Sequence, residues 1–439
     1  MSAAPEKTSA SLRHYSDVFN EQWRGDDALT TLKRAALDRF LELGFPTQRQ
    51  EEWKYTNLRR LESRTFSLAE GAGVADTADR SRWIRDDGPR LVFVNGQWMQ
   101  TLSAIQSQPP GVTVLTIGQW RKNSPDEVAA FLSQHPPASD AAFEQLNTAF
   151  FQDGVVIEIS AGAAFDAPLY ILHQFTANAQ QRMFHPRLLV RAGPNSRCTI
   201  VEHFVGNDDA EYFTNSLAFF DLEAGASVAH CRLQEESRRS FHVNTTRACL
   251  QRDASYQTHD IALGASLARS NISALLQGSG ASTALHGLFL PSGTQHLDAH
   301  TRIEHIAAHT TSFEEYRGIA DGKGRGVFNG KVVVHPHAQK IDARQSSRNL
   351  LLSPTAEIDS KPELEIYAND VKCSHGATTG QLDATQLFYL RSRGLSESDA
   401  RTLLIRAFAE SILSVIACPS VREHLEGRID ERFALGAGQ

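Results

Sequence analysis

Between residues 155 and 290 the chain repeats one plan: a strand, a short turn of small residues, and a second strand. VVIEIS-AGAAFDA-PLYILHQF (155–175), RLLVR-AGPNSR-CTIVEHFV (187–205) and LAFFDL-EAGAS-VAHCRL (217–233) follow it closely; RACLQRDASYQTHDIAL and SALLQGSGASTALHGLFL follow it more loosely. Taking Gly162, Gly193, Gly225, Asp253 and Gly280 as equivalent turn positions, the spacings are 31, 32, 28 and 27 residues. No helical pattern separates the strands, which excludes a doubly wound sheet, where the crossovers are helices. A stack of antiparallel hairpins would also use such short turns, but a sandwich has no reason to keep a 30-residue period. The pattern therefore predicts a mainly β chain: a solenoid, or parallel β-helix, in which each coil buries its inward side chains on the next.

At 439 residues the chain is longer than the roughly 250 to 300 residues at which single cores stop growing, so additional units are expected. From Asp26 to Leu43 apolar residues recur at helical spacing, and Gly44 with Pro46 stops the run. A charged stretch with interleaved aromatics, QRQEEWKYTNLRRL, follows, then a Gly/Ala-rich loop at 69–78 and a short strand, RLVFVNGQW, carrying an Asn-Gly turn. Residues 1 to about 150 are thus expected to form a mostly helical amino-terminal cap domain, and residues 151–382 the β-helix core. Near Asp383 the apolar period changes from 2 to 3.6. Asp383 and Ser396 are placed to cap two helices, the second with an apolar stripe ending at Pro419; residues 383–439 read as a helical domain that closes the last rung of the solenoid.

A hydrophobic fraction of 41%, 22% charged residues and a net charge of −7 describe a soluble globular composition without the basic excess a nucleic acid partner needs. Cys198, Cys231, Cys249, Cys373 and Cys418 lack CxxC spacing, and an odd count argues for reduced thiols in a cytoplasmic setting. No stretch is apolar enough to span a bilayer, and the start, MSAAPEKTSASLRH, reads as a frayed tail; Glu6 and its shortness weigh against a transit peptide.

Three stretches carry candidate chemistry. GKGRG (322–326) lacks the Lys-Ser/Thr pair of a phosphate loop and precedes a strand, so it reads as a mobile turn. His296, His300, His305 and His309 are spaced so that each successive pair would share one face of a strand, a ladder-like or solvated row in preference to a zinc site; His335 and His337 read as loop residues. In DVKCSHGATTG, Cys373 and His375 share a strand face. A thiolate beside an imidazole suits a soft metal, a persulfide or a Cys/His hydrolytic pair. The bland alternative is a buried cysteine beside a hydrogen-bonded histidine. Hydrolysis ranks lowest, because neither an oxyanion hole nor an orienting third residue is evident. Two ligands cannot complete a four-ligand site, so a metal here would need a second chain. Cys198, Cys231 and Cys249 lie on predicted strands and read as core.

The run QKIDARQSSRNLLLSPTAEIDSKPELEIYANDVKCSHGATTGQLDATQLFYLRSRGLSESDARTLLIRAFA, together with GFPTQRQEEWKYTNL, resembles the SufB/SufD family of iron–sulfur cluster assembly scaffolds. The likeness is dense from about residue 310 to 410, clear at 44–58 and weaker between. It is on the SufD side of that family: SufB proteins carry an acidic residue before this histidine and a glutamate after it, where this chain has Ser374 and Gly376, and the sulfur-accepting cysteine of SufB has no evident counterpart. The resemblance implies a right-handed parallel β-helix between two helical domains and a non-catalytic scaffold that pairs with SufB through the β-helix, with a homodimer plausible in isolation. It implies that His375, supported by Cys373, is a ligand for iron or a transient cluster shared with SufB, with no permanently bound cofactor. It also implies that the carboxy-terminal helices bind the ATPase SufC, through Phe388, Tyr389, Arg391, Arg393, Leu403, Leu404 and Phe408. A SufB-like paralogue and a β-helix protein acting on acidic polysaccharide are the other readings. The second would need charged residues clustered on an outer face and usually a secretion signal. A purely structural solenoid would need neither Cys373 nor His375.

Overall fold

The computed structural model describes residues 10–69, 79–86, 88–105, 108, 110–134 and 136–434. Residues 1–9 and nearly all of the Gly/Ala-rich loop expected at 69–78 lie outside the described residues; residues 10–14, expected as part of a frayed tail, instead begin the helix Ala10–Gln22. The chain is a parallel β-solenoid of eight coils, each contributing one strand to each of two facing sheets. The first sheet runs from Val155–Ile159 through Arg187–Ala192, Phe213–Leu222, Phe241–Leu250, Leu267–Leu276, His296–His305 and Arg325–Val334 to Glu357–Ile366. The second runs from Ala164–Phe175 through Arg197–Gly206, Ser227–Glu235, Ser255–Ala262, Ser282–Phe289, Thr311–Ala320 and Ile341–Leu351 to Val371–Gly380. From the second coil on, pairing between successive coils is in register, as in Phe213 with Phe241 and Ser227 with Ser255, so equivalent residues form columns along the solenoid; the first coil's Ala164–Phe175 shifts register between Phe165 and Leu169.

The period seen in the sequence is set by a left-handed residue at the turn between the two strands of each of the first seven coils. Gly162, Asn195, Gly225, Asp253, Gly280, His309 and Lys340 all have φ between 55° and 77°. Glycine, asparagine and aspartate tolerate that conformation best, so the repeat shows in composition. The second position is corrected: Asn195, not Gly193, makes the turn. Gly193 is needed two residues earlier for a close approach, because a Cβ there would lie 2.8 Å from the Ile159 carbonyl oxygen. GKGRG is a turn from Asp321 to Gly324 followed by the strand Arg325–Val334.

The helical segments pack on the flanks of the solenoid. The helix Ala28–Leu43 is capped by Asp27, whose side chain accepts from Thr30 N, and is ended by Gly44 at φ 66°. With Ala10–Gln22 and Ala142–Phe150 it covers Phe213, Phe241, Val243 and Leu267 on the outer face of the first sheet. RLVFVNGQW, expected as a single strand ending in an Asn-Gly turn, is a hairpin of Arg90–Val94 and Gln97–Trp98, with Asn95 and Gly96 both at positive φ, the conformation a two-residue turn requires.

At the carboxy terminus there are three helices, not two: Ala384–Ser392, Glu397–Leu413 and Pro419–Ala434. Pro419 reads as a stop in the sequence but is the first residue of a helix, where proline's missing N–H costs nothing. The expected closure of the last rung is also overturned. Ile405, Ile412, Leu413, Val421, Leu425 and Ile429 pack on Val201, Leu233, Ile261, Leu288, Ile319 and Leu350, the outer face of the second sheet. That face is an apolar stripe, and burying each large side chain is worth about 1.5–3 kcal/mol. The last coil offers a mostly polar rim, so the helices go to the flank and the end stays open. No described helix is long and apolar enough to cross a membrane.

Candidate functional site

Cys373 and His375 lie on Val371–Gly380, the final strand of the second sheet. Its in-register pairing with Ile341–Leu351 sets Cys373 over Ala343 and His375 over Gln345. Ala343 and Gln345 are buried while Arg344 between them is exposed, so Cys373 and His375 take the inward-facing positions of the coil. The sequence expectation of a shared face is met. With no coil stacked beyond them, His375 is exposed and Cys373 half-buried.

The coil beneath the pair has two halves. Cys373 packs on the apolar core with Ile358, Leu364 and Val371. His375 ends a polar column in which Gln345 Nε2 donates to Glu314 Oε2 at 2.6 Å. Beside that column Ser360 Oγ donates to Ser347 Oγ at 3.0 Å and Asn349 Nδ2 to Thr379 Oγ1 at 3.4 Å. Glu314 Oε1 and Gln345 Oε1 are buried and find no hydrogen-bond partner among the described residues. Burial pushes the Glu314 carboxyl up to about 7. Burial, with the Asp342 carboxylate adding to it, also pushes the Cys373 thiol up. A thiol held in its protonated form is a poor nucleophile, which weighs further against a Cys/His hydrolytic pair. Glu314 and Gln345 were not legible as site residues: only the register of two strands brings them under His375.

The histidine row divides. His296 and His300 sit on the outer face of the first sheet, as a shared-face pair should, and both serve the amino-terminal domain. Thr56 Oγ1 lies 2.8 Å from His296 Nε2 and donates to Asp298 Oδ2 at 2.5 Å, and His300 Nε2 is 3.0 Å from Asp298 Oδ1. Arg269 binds Asp298 at 2.8 Å, donates to the Glu52 carbonyl at 2.8 Å and lies 3.8 Å from the centroid of Trp53. Burial, which alone would raise Asp298, is outweighed by His300 and Arg269, and the carboxylate stays ionised. The Glu-Glu-Trp-Lys-Tyr-Thr stretch is thus the clamp that fixes the amino-terminal domain to the solenoid.

The expected pairing of His305 with His309 fails. His305 faces the interior, bonded to Thr310 Oγ1 at 2.7 Å and Ser312 Oγ at 2.9 Å, while His309 is the left-handed turn residue of its coil. Cys198 and Cys231 are core, as expected, but Cys249 is not. It takes an outward, half-exposed position in a shallow depression beside Arg191, Phe219 and Asp221.

On the carboxy-terminal helices, Phe388 is 73% exposed, Tyr389 56% and Leu403 46%. The helix Ala384–Ser392 has no buried residue at all. Arg393 lies over the Tyr389 ring and Arg391 pairs with Glu397 at 3.3 Å. Leu404 and Phe408 are half-buried; the Phe408 carbonyl accepts from Arg317 at 2.7 Å, and its ring packs on the solenoid.

The solenoid thus displays a thiol and an imidazole at an uncovered end, flanked by a helix with no buried residue. The chain belongs to the SufBD family of the SUF system for iron–sulfur cluster assembly. The family's sequence model "SUF system FeS cluster assembly, SufBD core domain" matches residues 175–408, and "SufBD protein N-terminal region" matches residues 12–171. The chain is 33% identical to the iron–sulfur cluster assembly protein SufD of Escherichia coli, over 91% of this chain and 92% of that one. It is 35% identical to an iron–sulfur cluster assembly SufBD family protein of Synechocystis, over 92% of this chain and 90% of that one. It is 27% identical to the chloroplastic protein ABCI7 of Arabidopsis thaliana, over 91% of this chain and 85% of that one.

Proposed function

We propose that this chain is the non-catalytic half of a paired scaffold, in which its open last coil meets a SufB chain and a nascent iron–sulfur cluster or iron is held between them. His375 and Cys373 are its ligands to that cargo, and the partner supplies the rest of the coordination shell. The carrying observation is the end coil itself, where both side chains take inward positions of a strand with no neighbour beyond it. A free strand edge is a ready template for pairing with another chain. Phe388 and Tyr389, on a helix with no buried residue, and Leu403, on the exposed side of the next helix, are proposed as the contact with the SufC ATPase, whose closure would pull on the helical flank; large exposed apolar and aromatic side chains are what such a contact uses.

The test is an anaerobic pull-down of tagged protein from its host, with partner chains identified and iron and acid-labile sulfide quantified. Cys373→Ala/His375→Ala should retain both partners and lose iron and sulfide. Phe388→Ala/Tyr389→Ala should lose the ATPase and keep the paralogous solenoid. A wild-type chain recovered with neither partner nor metal would overturn the reading.

A further inference from the structure

The helix Pro419–Ala434 is tied to the solenoid by a second cluster that the cluster-assembly reading does not use. His203 Nε2 lies 2.8 Å from Glu235 Oε2, and His424 Nε2 lies 2.6 Å from the same oxygen. The three ligand atoms are all within 4.8 Å of one another, the one such group of three among the described residues. His203 and Glu235 come from adjacent coils: Glu235 pairs with Val205, two residues beyond His203 and therefore on the same outer face. His424 comes down from the helix above.

The arrangement differs from a plain hydrogen-bond knot in where its bonds converge. A carboxylate has two oxygens, yet both imidazoles address Oε2, each through Nε2, while Arg428 Nε donates to Oε1 at 2.7 Å. Arg82 adds a bond to the Glu235 backbone carbonyl at 3.1 Å. The carboxylate is oriented by a cation on one side and turned towards two imidazole nitrogens on the other, which is how an outer partner orients a metal-binding carboxylate. Burial pushes His203 down, to its neutral form. Burial would by itself raise Glu235, but the bonds from His203 and His424 outweigh it and hold the group ionised. Neutral imidazole and ionised carboxylate are the forms that bind a metal.

We propose that His203, Glu235 and His424 form a binding site for a divalent transition-metal ion of zinc's class, with water as the remaining ligand, at the joint between the solenoid and the carboxy-terminal helices. Two imidazole nitrogens and one carboxylate oxygen suit zinc, cobalt or nickel and exclude calcium or magnesium, which take oxygen ligands. On binding, each imidazole would turn an Nε2 lone pair to the ion beside the Glu235 oxygen. The strand bearing Glu235 is five inter-strand steps from the one bearing Cys373, about 24 Å at ~4.8 Å per step, so the two sites are separate. An ion here would staple the last helix to the flank of the solenoid.

The experiment uses the full-length chain in a Cys373→Ala/His375→Ala background, which keeps the last coil out of the result. After chelator treatment it is titrated with Co2+, followed by visible d–d absorption, then competed with Zn2+; thermal unfolding is recorded with and without Zn2+. The expected result is one equivalent of cobalt displaced by zinc, with a zinc-dependent rise in Tm. His424→Ala, at the rim of the cluster, should weaken binding by more than about 100-fold, beyond the 10- to 100-fold that loss of an outer-shell partner costs, and abolish the Tm response. His203→Asn should do the same, with circular dichroism checking that both variants fold. Absence of one-equivalent binding in the parent, or binding and Tm response unchanged in a folded His424→Ala, would overturn the proposal and leave the cluster a dry latch. Neither outcome bears on Cys373 and His375.

Discussion

Glu314 is a buried acid that the fold holds against its own ionisation, and Glu314→Gln tests that directly. Its carboxyl is pushed from an ordinary 4.5 up to about 7 by burial, which outweighs the opposing pull of the Thr301 and Gln345 side chains. Between those two values the folded chain binds a proton that the unfolded chain has released. Stability therefore falls as pH rises through that window, and the loss is complete above about pH 7.5 to 8. A shift of this size corresponds to about 3 kcal/mol. A glutamine of the same shape keeps an oxygen for Gln345 and cannot ionise, so the variant should be more stable by up to about 3 kcal/mol at pH 8 and nearly equal to the parent at pH 5. At ~2.1 cal/mol/K per residue of unfolding entropy, a chain this long converts that difference into a Tm gain of roughly 3 °C. Differential scanning calorimetry of both proteins at pH 5, 6.5 and 8 reads it. A Tm difference that does not change with pH, or a variant less stable than the parent at pH 8, would refute the argument that desolvation dominates this site.

Two further outcomes follow from the packing. Trp53→Ala removes the ring under Arg269 and opens the clamp on the amino-terminal domain, costing about 3–5 kcal/mol, seen as early proteolytic release of residues 10–69 while the solenoid resists. Gly287→Ala places a Cβ 2.0 Å from the Tyr316 ring inside the solenoid; over-packing of about 1–3 kcal/mol should lower Tm by a few degrees, and an unchanged Tm would mean the ring can move aside.

The coil repeat was legible because its cause is local: a left-handed turn favours glycine, asparagine and aspartate whatever surrounds it. The same locality made Gly44, Asp383 and Ser396 readable as helix boundaries, while the cap Asp27 does not stand out in the sequence. Where a residue serves two contexts the sequence misleads, as Pro419 did by starting a helix and His309 by taking a turn. The partners of the site were illegible for a different reason. Arg269 meets Trp53, and His424 meets Glu235, across long stretches of chain, and no periodicity records which coil a flanking helix will cover. Cys373 and His375 could be picked out as a pair, but that they face an open end depended on the helices choosing the apolar flank over the polar rim.

That choice makes the two rims of the last coil chemically unequal. Along Glu357–Ile366 the outward positions are Glu357, Asp359, Lys361, Glu363 and Glu365, a charged fence that discourages another strand from adding there. Val371–Gly380 ends in Ser374-His375-Gly376-Ala377-Thr378-Thr379-Gly380, with no charged residue after Lys372. A solenoid grows in principle from either rim, as a crystal grows from a face. Here one rim is poisoned and the other left clean, so any strand addition begins on the side that carries the thiol and the imidazole. If the proposed pairing holds, this charge difference would set which strand a partner adds to, and moving a few charges from one strand to the other would reverse it.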